Sequence, residues 1–148
     1  MNTPRPHAPL HDVRLPVQAK LAAAWTSFMF LYLYVDYLAL YKPGVLDDLL
    51  AGIVHDFETG PLFVGLALTL MAVPILMIVL SATLPARVNR VVNLVVAALY
   101  VPVTVFNADG EPWSYAYFYG FSIAVELLLL AFVARSAWTW PRREPRES

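Results

Sequence analysis

The chain contains no cysteine among its 148 residues, and only 14% of its residues are charged. The missing thiols exclude disulfides, thiolate nucleophiles and iron–sulfur ligation. A soluble domain has about 25% charged and about 45–50% apolar residues, whereas this chain is 59% hydrophobic with a mean hydropathy of +0.61. The nucleophile elbow, the zinc-helix motif, the phosphate loop and the dinucleotide fingerprint are also missing. The composition therefore indicates a membrane protein without a soluble catalytic module.

The apolar residues are concentrated in four blocks, each near the length of about 20 residues that crosses a bilayer. The predicted spans are about residues 20–41, 60–84, 89–106 and 113–138. Residues 1–19 and 141–148 are polar and rich in proline or charge, which predicts flexible tails. Residues 20–140 then form one four-span membrane domain. We predict an all-α integral membrane four-helix bundle whose first span is retained, because about 20 mostly polar residues precede it and a cleavable signal peptide is not expected.

The loop after the first span has the apolar spacing of a helix. Pro43 and Gly44 end the first span, and residues 45–55 then carry an apolar stripe at helical intervals, formed by Leu46, Leu49, Leu50, Ile53 and Val54. This spacing predicts a short amphipathic helix that lies on the membrane surface or caps the bundle.

Histidines occur in two places, and neither predicts a metal site. Pro9 separates His7 from His11 and disfavours the helix that would bring them together. His55 and Asp56 lie in a segment that is better explained as a solvated loop than as a proton relay. We predict no metal and no cofactor.

Basic residues indicate the orientation. With four crossings, nine of the ten Lys and Arg residues fall on one side and only Lys42 falls on the other. The positive-inside rule places that basic side in the cytoplasm. We therefore expect a multi-pass protein of a bacterial inner (plasma) membrane, with both termini and the Arg87–Arg90 turn cytoplasmic. Because the basic residues lie in tails and turns, no nucleic-acid partner is expected.

One carboxylate, Glu126, lies in the middle of the fourth span, where a charge costs about 2.5–3.5 kcal/mol. Ser122, Tyr119 and Tyr115 precede it at steps of four, three and four residues, so all four share one helix face. This polar stripe could line a wet cavity or a proton path. The alternative is that it packs against neighbouring helices and its hydroxyls satisfy one another.

Depth decides which side chains could meet Glu126. It lies about 13–14 Å from the Arg135 end of its helix, and Tyr100 and Tyr32 come near that level as candidate hydrogen-bond partners. No basic residue does, so we expect the neutral acid. Asp36, in the first span, should lie about 10 Å further out. It is therefore not expected to form a bonded pair with Glu126.

Several features together resemble a known family. They are residues 28–37 (Phe-Met-Phe-Leu-Tyr-Leu-Tyr-Val-Asp-Tyr), Pro43-Gly44, Pro74, Arg87-Val88-Asn89-Arg90 and Glu126. In these the chain is similar to an uncharacterised bacterial family of small four-helix membrane proteins and, more loosely, to DoxX-like membrane proteins. The resemblance implies a fold and no reaction.

Three classes of function follow from these residues. The first is the binding or transport of a proton, or of a small polar, cationic or lipidic ligand, at Glu126 with Asp36. The second is a non-catalytic accessory or oligomer-forming component, with a second copy or another membrane protein as partner besides the lipid bilayer. A membrane enzyme is the third and weakest, because only acids and tyrosines are available as catalytic groups, and we name no catalytic residue.

Overall fold

The computed structural model describes residues 14–54, 57–107 and 112–141 of the chain. The His7 and His11 pair, His55 and Asp56, residues 108–111 and the C-terminal tail from residue 142 lie outside the described residues. Two predictions therefore stay predictions: the solvated loop at His55 and Asp56, and the flexibility of most of the tails.

The described residues contain four long helices: α1 (Val17–Ala39), α3 (Pro61–Thr83), α4 (Ala86–Phe106) and α5 (Ala116–Trp138), the last preceded by a 3-10 helix at Trp113–Tyr115. Between α1 and α3 lie a short helix, α2 (Val45–Leu50), and the strands β1 (Ile53–Val54) and β2 (Phe57–Glu58). Within the described ranges, four helical segments are long and apolar enough to cross a membrane. The prediction of a four-helix membrane protein is confirmed at this level.

The first helix begins earlier than expected, inside the segment assigned to the N-terminal tail. Pro16 supplies the first helical acceptor, since the amide of Lys20 donates to its carbonyl at 3.2 Å. Val17 packs against the core and Leu21 is fully buried within it. The apolar contacts of this first turn explain why it is ordered despite the prolines before it.

The helix predicted over residues 45–55 is only partly present. It ends at Leu50, and Gly52 adopts a left-handed conformation with φ of 78°, which commonly terminates a helix. Ile53 and Val54 then pair antiparallel with Glu58 and Phe57. The helix predicted from the apolar spacing is therefore wrong beyond Leu50. Ile53 and Val54 are β-branched and suit a strand equally well. The all-α prediction needs this small hairpin added.

The long helices pack around α1, which contacts both α3 and α5, while α5 also packs against α4. Trp25 and Phe28 of α1 are buried at the centre and meet Tyr100 of α4 edge to face, at ring distances of 6.3 and 5.8 Å. Edge-to-face pairs of this kind add about 0.5–1.5 kcal/mol beyond the area that they bury. The aromatic side chains of α1 thus connect it to α4 in the centre of the bundle.

Pro74 interrupts the backbone hydrogen bonding of α3, because proline has no N–H to donate to Leu70. The hydroxyl of Tyr100 donates to that freed Leu70 carbonyl. A side chain from α4 therefore satisfies the acceptor that the proline leaves open.

A second set of polar contacts joins α1 to the last turns of α3 and the first turns of α4. The indole N–H of Trp25 donates to Asn93 Oδ1 at 2.7 Å, and the Ser81 hydroxyl donates to the same oxygen at 3.2 Å. Asn93 Nδ2 donates to Asn89 Oδ1 at 2.6 Å, and Asn89 Nδ2 donates to the Ser81 carbonyl at 2.6 Å. All four side chains are fully buried. Because every member has a partner, this cluster ties α1, α3 and α4 together without an unsatisfied group.

Candidate functional site

The two ends of the bundle differ. We call the end that holds the last turn of α1, the first turn of α5, α2 and the hairpin the mouth end, and the opposite end the base end. The guanidinium of Arg90 lies 5.3 Å from the ring of Trp138, which brings the start of α4 and the end of α5 together at the base end. Among the described residues, Lys42 is the basic side chain at the mouth end.

A cavity of about 530 Å³ opens at the mouth end. Helix α1 contributes Tyr32 and Asp36 to its wall, and α2 and β1 cover it with apolar side chains, including Leu49 and Ile53. The face of α5 that was predicted as a polar stripe lines the cavity along its length, with Tyr115, Tyr119, Ser122 and Glu126. The structure therefore brings five of the predicted site residues besides Asp36 to one cavity.

Glu126 lies at the inner limit of this group and is only 3% exposed. Its Oε2 atom has no hydrogen-bond partner among the described residues. The Thr104 hydroxyl is close enough to interact with the Glu126 carboxyl, but it is itself buried without a formed hydrogen bond in the same part of the chain. Buried polar atoms nearly always have partners. Thr104 and Glu126 are two exceptions to this rule in the described residues, and Glu126 lines the cavity.

The two tyrosines suggested as partners of Glu126 have other partners. The Tyr32 hydroxyl accepts a hydrogen bond from Asn107 Nδ2 at 2.6 Å. The Tyr100 hydroxyl donates a hydrogen bond to the Leu70 carbonyl. Tyr32 still lines the cavity, whereas Tyr100 belongs to the aromatic core and is no part of the cavity wall. Thr104 of α4 was not predicted as the neighbour of Glu126. Threonine is common in membrane helices, so its presence in the sequence did not indicate this contact.

Asp36 lines the same cavity as Glu126 and is exposed. No hydrogen bond joins the two carboxyl groups in the described part of the chain. Two acids that line one cavity repel each other when both are charged.

The residue that sequence reasoning overlooked is Lys42. Its Nζ donates to the Tyr119 hydroxyl at 2.6 Å, and it lies 4.8 Å from the Tyr119 ring and 5.3 Å from the Tyr115 ring. A cation within about 6 Å of an aromatic face is attracted by the ring. Lys42 also lines the cavity, so the cavity wall holds one basic residue and three acids, Asp36, Asp48 and Glu126. The sequence offered one indication of its importance: Lys42 is the one Lys or Arg residue expected on its side of the membrane.

Metal ligands do not cluster in the described ranges, where no group of three or more His, Cys, Asp or Glu side chains could hold an ion. The available chemistry is therefore that of carboxylates, an ammonium, hydroxyls and aromatic rings. Such a set can bind charged and polar groups by hydrogen bonds and ion pairing.

These features define a small multi-pass membrane protein with a cavity at one end of a helix bundle, lined by apolar, aromatic and charged side chains. The chain belongs to DUF6326, a family of unknown function, whose model matches residues 12–144. The resemblance to a family without an assigned activity is thereby confirmed. No curated protein and no solved structure matches the chain.

Proposed function

We propose that the protein binds a small organic cation in the mouth-end cavity, between Glu126 and Asp36. The observation that supports this most strongly is the unpartnered Oε2 of Glu126, buried at the end of a cavity that a second acid also lines. A carboxylate at this depth is costly unless it has a counter-charge. An entering ammonium group supplies that charge and the missing hydrogen-bond donor together.

The wall of the cavity favours an organic cation over a bare metal ion. Tyr32, Tyr115 and Tyr119 present aromatic rings, and Leu49, Ile53 and Val54 present aliphatic groups. Pockets for organic ligands are mostly apolar, with a few polar groups that fix the orientation. A metal ion would instead require several oxygen ligands in a compact shell.

The close packing of side chains toward the base end supports a binding cavity rather than an open pore. Leu21, Trp25 and Phe28 fill the bundle below the cavity and are essentially unexposed, and the Trp25–Asn93 hydrogen bond closes the same region. A ligand that enters from the mouth therefore meets a packed core. Transport of the ligand or of a proton through the bundle would require the helices to separate there.

We further propose that the protein resides in the plasma membrane with its base end cytoplasmic. The described basic residues other than Lys42 support this orientation, since Arg14, Lys20, Arg87, Arg90 and Arg135 lie toward the base end. Basic residues accumulate on the cytoplasmic side of membrane proteins. The cavity then opens to the extracytoplasmic side, and its ligand is one that reaches the protein from there.

Calorimetric titration of the purified protein in nanodiscs tests the binding proposal. Ethanolamine is the probe, and ethylene glycol is its uncharged counterpart. We expect ethanolamine to bind, ethylene glycol not to bind, and Glu126→Gln to weaken ethanolamine binding at least tenfold. Glu58→Gln is the matched control, because Glu58 is exposed on β2 and does not line the cavity. Equal binding by the wild type and Glu126→Gln, or no binding of ethanolamine at all, would overturn the proposal.

A further inference from the structure

We infer that the ligand of this cavity is an alkyl diamine, whose first ammonium binds between Glu126 and Asp36 and whose second ammonium binds at Asp48. The inference rests on the proposed function and names the chemical class of its ligand. It is carried by three carboxylates that line one cavity from three different elements, and by the buried Glu126 oxygen that has no partner among the described residues. The second charge of the ligand is assigned to the one wall carboxylate that the proposed function leaves unused.

The charge of the cavity wall favours two positive charges over one. Asp36, Asp48 and Glu126 line the cavity together with one basic residue, Lys42. Even when the full charge of Lys42 is set against the carboxylates, whatever its other contacts, the described wall is formally left with two negative charges. A monocation leaves one of them uncompensated, whereas a dication balances both.

The three carboxylates lie at different places in the cavity. Glu126 is well inside α5 and only 3% exposed, whereas Asp36 lies in the last turn of α1 and Asp48 lies on α2, which covers the cavity. Both aspartates are exposed. These described acids do not come together as a group that could hold a metal ion, which would require oxygen ligands in a compact shell. The positive charges that match them are therefore separated within the ligand.

The cavity wall beside Asp48 is aliphatic. Leu49 follows Asp48 on α2, and Ile53 and Val54 of β1 line the same cavity. Walls of this kind suit the apolar part of an organic ligand, so a hydrocarbon chain is the linker that they accommodate. Because the chain joins the two ammoniums, the second contact becomes intramolecular once the first has formed. A diamine therefore gains affinity over a monoamine of the same length.

The inner end of the ligand must donate a hydrogen bond. Glu126 Oε2 is buried and has no partner in the described part of the chain, and a primary ammonium donates charge-assisted hydrogen bonds to such an oxygen. A quaternary ammonium has no N–H group and would leave the oxygen unpaired. The buried end of the site therefore selects a primary amine, while the exposed Asp48 requires only a positive charge.

The test compares three probes of one length: 1,4-diaminobutane, 4-amino-1-butanol and 1,4-butanediol. Calorimetric titration at neutral pH uses the full chain in phosphatidylcholine nanodiscs. We expect the diamine to bind about fivefold more tightly than the amino alcohol, because an ion pair at an exposed carboxylate adds modest affinity, and the diol not to bind. This advantage should shrink as the salt concentration rises, since exposed charges are screened.

Two neighbouring acids of α2 supply the matched variants. Asp48→Asn should remove the advantage of the diamine and leave binding of the amino alcohol unchanged. Asp47→Asn is the control and should keep the advantage, because Asp47 lies on the same helix and does not line the cavity. Calcium chloride at the concentration of the diamine should not displace it.

Each outcome decides one question. Equal binding of the diamine and the amino alcohol by the wild type would overturn the diamine and leave the cation site in place. If neither amine binds, the proposed function itself fails. An advantage that survives in Asp48→Asn, or is lost equally in Asp47→Asn, would contradict the assignment of the second ammonium to Asp48. Displacement by calcium would show that the acids act together as a metal site. If Asp48→Asn does not fold, the comparison of the two amines at low and high salt still decides the inference.

Discussion

Thr104 and Glu126 form a pair of side chains whose buried oxygens lack formed hydrogen bonds in the described structure. An unsatisfied buried polar group costs about 1–3 kcal/mol. Local costs of this kind are typical of functional sites. At the scale of single residues, the binding proposed at Glu126 would offset part of this cost by supplying a hydrogen-bond donor.

Thr104→Val tests that cost. Valine has the shape of threonine without the hydroxyl, so we expect the unliganded protein to gain about 1 kcal/mol and its melting temperature to rise by about 2–4 °C. Thermal unfolding in detergent measures the change. Thr83→Val is the comparison, because the exposed Thr83 hydroxyl donates to the Val79 carbonyl and has no cavity role. A lower melting temperature for Thr104→Val would mean that its hydroxyl already stabilises the empty site.

The polar residues of α5 were predictable, and the lysine that meets them was not. Glu126, Ser122, Tyr119 and Tyr115 share a face because helical geometry alone relates their positions. Lys42 reaches Tyr119 across 77 positions of the chain, and only the packing of α1 against α5 brings them together. A prediction by depth alone paired Glu126 with Tyr100 rather than Thr104, because it contained no information on which face of α4 points toward α5.

At the scale of elements, α3 depends on α4 for one hydrogen bond. The loss caused by Pro74 was predictable from the sequence, since proline always frees the carbonyl four residues earlier. The hydrogen bond from Tyr100 to this carbonyl could not be predicted, because it depends on how α3 and α4 are positioned relative to each other. A Tyr100→Phe substitution should leave the Leu70 carbonyl unpaired and cost about 1–3 kcal/mol.

A double-mutant cycle isolates this contact. In Pro74→Ala the new N–H can bond to Leu70, so Tyr100→Phe should cost less in that background than in the wild type. Free energies of unfolding from all four proteins give the coupling. Equal costs in both backgrounds would show that the Tyr100 hydroxyl does not compensate for the proline. Tyr117→Phe, at an exposed position on α5, controls for the loss of a hydroxyl.

The segment that covers the cavity was the least predictable element. Its apolar spacing suited a helix through residue 55, yet Gly52 ends the turn and a hairpin follows. Gly52 could be recognised as a break, but a two-residue strand has too few positions to show alternation. Short elements depend on the packing around them, and the cavity wall is made partly of such elements.

At the scale of the whole molecule, the number of spans followed directly from four apolar blocks, whereas the pairing of helices did not. Helix α1 packs against α3 and α5, and apolar helices without a strong polar face give no indication of their neighbours. The cluster of Trp25, Ser81, Asn89 and Asn93 was not predicted from the sequence, because its indole donor lies on a different helix from the two asparagines.

The orientation of the whole molecule can be measured because the chain has no cysteine. Single cysteines introduced as Ser114→Cys at the mouth end and Arg87→Cys at the base end should react differently with a membrane-impermeant maleimide. We expect Ser114→Cys to be labelled in intact cells and Arg87→Cys only after permeabilisation. The reverse pattern would place the cavity on the cytoplasmic side. The cysteine-free parent is the background control.

The fully satisfied cluster at the base end has a thermodynamic consequence. With Trp25 and Asn93 joined beneath the aromatic core, a ligand bound in the cavity as proposed would exchange with one aqueous compartment alone. Its occupancy would then depend on the concentration in that compartment and not on the gradient across the membrane. Any response of the protein to the proposed ligand would therefore be a change in helix packing rather than a movement of material across the membrane.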